Sequence, residues 1–427
     1  METKNQNYAI PILMMILLFG MISFVTNLAA PMGVVLKSQF GASNFQGLLG
    51  NAANFIAYAV MGIPGGILLQ RVGYKKTALI AIAVGFIGVG IQYLSGHASQ
   101  ASAFTVYLLG AFVAGFSMCL LNIVVNPMLN TLGGGGNKGN QLIQVGGSFN
   151  SIMATITPAF VGILIGEAAK AQITDVFPVM YVAMGVFAVI FFVLTAVKIP
   201  EPHAEQSSEP LKKLMAGSLQ FRHFILGAIA IFVYVGVEVA SPYIMLYWLS
   251  DNPEIGAVIG GSVAGTYWLL MLVGRLIGVV IGGKVSSKSM LTFTSGLGII
   301  LTLLAIFSPS SSLVSLPVFK SGATGLGLGL AEVPINAMFI VLVGLCTSIM
   351  WGSIFNLAVE GLGKYTAAAS GIFMTLVAGG GLIPAFQGWV ADIAGYLPSY
   401  WVMVVCLVFL MYYALIGSKV TKRADGK

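Results

Sequence analysis

One carboxylate, Glu238, stands inside the apolar run IFVYVGVEVASPY (231–243). An acid at the centre of a membrane helix costs about 2.5 to 3.5 kcal/mol on insertion scales, so it faces a cavity or a partner and marks a path for ions or substrate. Such a group can take up a proton, or hold Na⁺ together with neighbouring amides and carbonyls. Pro242 follows one turn later; it removes a backbone hydrogen bond and is expected to break the helix beside the acid. Amides gather earlier in the chain at Asn27, Asn51, Asn54, Asn122, Asn126, Gln144 and Asn150. Each amide donates and accepts at once, as a ring of hydroxyls demands. Taken singly, each also reads as interhelical glue worth about 0.6 kcal/mol. Later come Tyr234, Tyr267, Trp268 and Trp351, amphipathic rings able to stack on the C–H face of a pyranose. Trp248, Trp389 and Trp401 lie at the ends of apolar runs and read as interface anchors.

These residues need elements to carry them. The chain is 58% hydrophobic and 8% charged, with mean hydropathy +0.95. A soluble chain would be about a quarter charged, so most of this surface meets lipid. Twelve apolar runs, from 9–30 to 400–417, are long enough to span a bilayer. Unbroken runs rather than alternating ten-residue segments select helices over a barrel. Seventeen of the twenty Lys and Arg residues, Arg275 among them, fall at one set of ends, and only Lys37, Lys170 and Lys320 at the other. That bias places both termini in the cytoplasm and accounts for the net charge of +7 without a nucleic-acid partner. Cys119, Cys346 and Cys406 all sit in apolar runs, and His97, His203 and His223 lack metal-ligand spacing. The glycine-rich LGGGGNKGNQ (132–141) lacks the phosphate-loop pattern, so no ATP site and no cofactor are expected.

The chain repeats itself. ITPAFVGIL (156–164) returns as LIPAFQGWV (382–390), and GGILLQRVGYKK (65–76) is echoed by GVVIGGKVSSKS (278–289). The longest polar stretch lies at the midpoint. We therefore expect two parallel six-helix bundles, residues 1–197 and 224–427, joined by a cytoplasmic linker at 198–223. Duplicated bundles around a midplane cavity suit alternating access. The Gly- and Ser-rich segment 309–335 is long for a loop and is expected to lie partly within the membrane.

GGILLQRVGYKK resembles the loop signature of the major facilitator superfamily. NFQGLLGN (44–51), VVNPMLNTLG (124–133), YVGVEV (234–239), YWLLMLVGRLIG (267–278), SIMWGSIFNLAVEGLG (348–363) and GGGLIPAFQGWVADIAG (379–395) resemble its fucose permease and glucose/galactose permease branch. The resemblance implies a monomeric transporter of the bacterial inner membrane that imports a hexose by H⁺ or Na⁺ symport. It also implies hydroxyl contacts from Asn27, Asn122 and Gln144 on one side and from Glu238, Trp268, Trp351 and Gln387 on the other, with Glu238 in coupling. The fucose branch carries acids where this chain has Ala30 and Asn122, and a substrate-contacting glutamine where it has Gly147. An acid lined by aromatics and methionines would alternatively suit an efflux transporter for drugs or metabolites of the same fold.

Overall fold

The computed structural model describes residues 8–132, 136–165, 171–201, 211–281, 285–322 and 325–422. Lys170, Lys284, Arg423, Lys427, the glycine run at 133–135 and the linker segment 202–210 lie outside the described residues. Span one is Ala9–Phe40, and spans two and three form one helical trace, Leu49–Ser95. Spans four to six are Gln100–Leu132, Gly136–Ile165 and Phe177–Ala196. Spans seven to nine are Arg222–Ser250, Gly256–Ile281 and Ser287–Phe307. Span ten is split into Ile335–Thr347 and Met350–Val359, and span eleven into Thr366–Leu376 and Gly379–Ala394. Span twelve, Trp401–Tyr412, ends in a π turn, Tyr413–Gly417. Eleven of these stretches are long and apolar enough to cross a membrane. Span five, whose first turns carry Asn137, Lys138, Asn140 and Gln141, makes the twelfth.

Spans two and three part at Gly73, whose φ of 82° and ψ of 175° suit only glycine. The turn is then braced from span six. Glu201 accepts from the amides of Tyr74 (2.7 Å) and Lys75 (3.1 Å), at the positive end of span three. Lys75 in turn donates to the carbonyls of Thr195 (2.8 Å) and Val197 (2.7 Å). A Cβ on residue 73 would lie 2.7 Å from Glu201 Oε2. Gly73→Ala should therefore destabilise the first bundle by about 1 to 3 kcal/mol, read as a lower thermal midpoint in detergent. An unchanged midpoint would show that the turn is not strained.

The proline expectation fails. Span seven runs unbroken through Pro242; beside it Ser241 Oγ donates to Val237 O (2.8 Å) and Tyr400 Oη to Ser241 O (2.7 Å). The breaks come instead at Ser348–Ile349 in span ten and Val377–Ala378 in span eleven, and no proline lies at either break. Nor is 309–335 irregular. Strands β1 (Leu313–Gly322) and β2 (Gly325–Pro334) form an antiparallel hairpin that buries Leu316, Val318, Ala331 and Val333 on one face. Thr266, ten residues into span eight, holds β1 by donating to Pro317 O (3.1 Å).

The two bundles meet along spans two and eleven and along spans five and eight. Backbones approach closely at Gly381, where a Cβ would lie 2.8 Å from Ala52 Cα and Phe55 Cβ. Asn51 Nδ2 donates across this seam to Gly380 O (2.8 Å).

Candidate functional site

Glu238 does not stand alone. Its Oε1 lies 3.6 Å from Nη2 of Arg275 in span eight, and each side chain is 13% exposed. Arg275 Nη1 donates to Gly147 O in span five, so one guanidinium touches both bundles. This corrects the placement of Arg275 at a cytoplasmic end: it is held inside the membrane by an acid on the neighbouring span. The opposite charges satisfy each other where neither could be buried singly. The sequence carried one signal for the pair, the arginine inside YWLLMLVGRLIG, but positive-inside counting assigns any basic residue near a span end to a loop. Tyr234, one turn before Glu238, brings its buried hydroxyl beside the carboxylate.

Two of the aromatic candidates belong to this centre. Trp351 packs edge-on to Tyr234 with ring centroids 6.3 Å apart, and against Phe373 at 5.9 Å, next to the breaks in spans ten and eleven. Trp268 shares the Arg275 face of span eight two turns away, edge to Tyr267 at 5.3 Å. Tyr267 itself is fixed by Thr347 (3.0 Å).

The amides form a separate set in the first bundle. Asn122 Nδ2 donates to Tyr58 Oη (2.8 Å) and Met118 O (3.1 Å), while its carbonyl accepts from Asn126 (3.3 Å). Tyr58, missed in the sequence, is the anchor of this network and shares a face of span two with Asn51 and Asn54. The side-chain oxygens of Asn51 and Asn54 are buried without a hydrogen-bond partner. Asn27 folds back on its own helix, donating to Ser23 O (2.9 Å) and Ser23 Oγ (3.2 Å). Asn150 reaches Phe19 O (3.2 Å). Gln387, fully buried, donates to Ser399 Oγ (3.2 Å), which sets it against the start of span twelve rather than beside Glu238. The side chains of Gln144 and Ala30 lie outside the described residues.

On the membrane face opposite the termini, a polar latch joins the bundles. Lys37 Nζ, from span one, reaches Asn44 Oδ1 (2.7 Å), Asp251 Oδ2 (3.1 Å) and Tyr396 Oη (3.3 Å), and stands 4.6 Å over the Tyr247 ring. Tyr396 Oη also donates to Asp251 and lies 2.9 Å from Asn44 Oδ1. Asp392 accepts from the amides of Asn44 (3.0 Å) and Phe45 (3.1 Å).

Twelve spans in two bundles have a counterpart among known proteins. Residues 12–383 match the Major Facilitator Superfamily. The chain belongs to that superfamily. It is a multi-pass membrane transporter and not an enzyme. Among superfamily relatives, the "Glucose/galactose transporter" of Brucella abortus biovar 1 (strain 9-941) is 29% identical over 98% of this chain and 97% of its own. The "L-fucose-proton symporter" of Escherichia coli (strain K12) is 22% identical over 93% of this chain and 90% of its own. A crystal structure of the E. coli fucose:proton symporter, FucP, carrying one substitution, superposes with a TM-score of 0.72 at 18% identity, over 97% of this chain and all of that one.

Proposed function

We propose that this chain is a secondary active transporter that imports a hexose of the glucose/galactose type by cation symport through alternating access. The observation that carries the reading is the Glu238–Arg275 pair, partly open, bonded to the opposite bundle through Gly147 O. A charged centre that touches both bundles feels their relative motion, as coupling requires. The functions for which the relatives are named, glucose/galactose transport and fucose–proton symport, supply the substrate class and the expectation of H⁺ or Na⁺ as driving ion. In this reading Glu238 couples, and Trp268 and Trp351 offer apolar faces to the sugar. Asn122 offers hydroxyl contacts from the first bundle; Asn27, Gln144 and Gln387 are lesser contributors. Residues 1–197 and 224–427 act as the two rocking units about the 198–223 linker, in a bacterial inner membrane with both termini cytoplasmic. Efflux of lipophilic cations is disfavoured, because the guanidinium beside Glu238 would repel them.

The test is uptake of labelled glucose and galactose by proteoliposomes under separately imposed H⁺ and Na⁺ gradients. Uphill accumulation should appear with one ion and fall to near equilibration in Glu238→Gln. Wild-type accumulation in that variant would remove Glu238 from coupling; no uptake of either sugar by wild type would remove the hexose assignment. Asn122→Ala, which strips the amide from Tyr58 and Asn126, should weaken sugar binding by about tenfold, the loss expected of one or two hydrogen bonds to a ligand. Equal titration curves for Asn122→Ala and wild type in calorimetry would reduce Asn122 to helix packing.

A further inference from the structure

We propose that Arg275 binds the substrate directly and that, with Glu238, it forms a donor–acceptor fork that selects one hydroxyl of the sugar. The proposal deepens the hexose reading and rests on it. A guanidinium offers five N–H donors in one plane and accepts nothing. Here Nη1 is committed to Gly147 O, while Nη2 stands 3.6 Å from Glu238 Oε1. A charge-assisted hydrogen bond closes to about 2.7 to 2.9 Å, so the two charged groups are held near each other without a full bond. Each side chain keeps 13% of its surface unburied, and it is this remaining surface that a ligand would meet. A hydroxyl set against the open side of the pair can accept from Nη2 and donate to the carboxylate at once, and the unused N–H groups remain for its neighbour. Only a group that both donates and accepts can cap the pair from the side and satisfy both charges; an ether or a deoxy carbon does not.

Two further features hold the fork in place. Gly147 presents no side chain, and a Cβ there would lie 3.3 Å from Arg275 Nη1, so the glycine leaves the space that the guanidinium fills. Trp268 lies on the same face of span eight, two turns away, and offers an apolar ring toward the rest of a sugar held at the fork.

The experiment is calorimetric binding of the transported hexose and its full set of monodeoxy analogues to purified wild-type protein, Arg275→Lys and Gly147→Ala. Lysine keeps the positive charge beside Glu238 but loses the planar fork. Wild type should lose affinity by about tenfold or more for one deoxy analogue in particular. Arg275→Lys should bind the parent sugar about tenfold more weakly and show little further loss with that same analogue. Gly147→Ala, at an ordinary helical position, should reproduce a smaller version of this pattern by displacing the guanidinium. If Arg275→Lys and Gly147→Ala bind the parent sugar as wild type does, or still reject the same analogue as strongly, Arg275 does not touch the substrate although the hexose reading stands. If wild type binds no hexose, that reading and this one fall together.

Discussion

Glu238→Ala should destabilise the folded protein more than the double replacement Glu238→Ala with Arg275→Ala. The single change leaves a guanidinium inside the membrane with its carboxylate gone, and an uncompensated buried charge is worth about 3 to 5 kcal/mol of lost stability. Removing both groups leaves no charge to solvate and should recover most of that loss. Because each side chain is 13% exposed, water reaching the site moderates the effect toward the lower figure. Thermal midpoints in detergent, measured for the two single variants and the double, form a cycle whose interaction energy isolates the pair. Additive losses would mean that Arg275 and Glu238 ignore each other. Transport should be absent in all three, so stability and activity separate cleanly in the double variant.

Lys37→Ala should open the latch face. The lysine gathers Asn44, Asp251, Tyr396 and the Tyr247 ring, and its loss leaves the latch to the Asp392 contacts with the Asn44 and Phe45 amides and to the Tyr396–Asn44 bond. Asp251 is half exposed, so the ion pair alone contributes at most about 1 kcal/mol. Adding the Tyr247 cation–π contact brings the total to roughly 2 kcal/mol, or about a thirtyfold shift in the ratio of latch-closed to latch-open molecules. Spin labels at Ala42 and Glu254, one on each bundle at that face, should report a longer distance population in Lys37→Ala than in wild type. Superimposable distance distributions would show that the latch does not set the resting state.

Much of the architecture was legible because lipid imposes a simple rule: each apolar run long enough to cross must be a helix. Glu238 was legible for the same reason, since no acid belongs there without cause. Arg275 was not. Near a span end a basic residue ordinarily snorkels toward water, and only the fold reveals that an acid on the neighbouring span holds it within. The hairpin escaped because the glycines and serines of 309–335 read as a long loop, although the leucines and glycines of GLGLGLAEV alternate with the period of a strand. Proline misled in the opposite direction: Pro31, Pro64, Pro127, Pro242 and Pro384 all lie inside continuous helices. At Pro384 the carbonyl freed one turn earlier, Gly380 O, accepts instead from Asn51 Nδ2 of the other bundle. Gln387 matched a motif yet packs against Ser399, because a sequence shows which residue is present but not which way the helix turns it.

The interruptions in spans ten and eleven have a mechanical meaning. Among the described residues of the first six spans the transmembrane rods are unjointed, apart from the Gly73 turn at their edge. A jointed rod lets one end swing while the other stays, whereas an unjointed one carries a tilt along its whole length. Two bundles built on one plan are therefore unequal machines, the first a lever and the second a flexure. Trp351, wedged against Tyr234 and Phe373 beside both joints, sits where bending would be felt first.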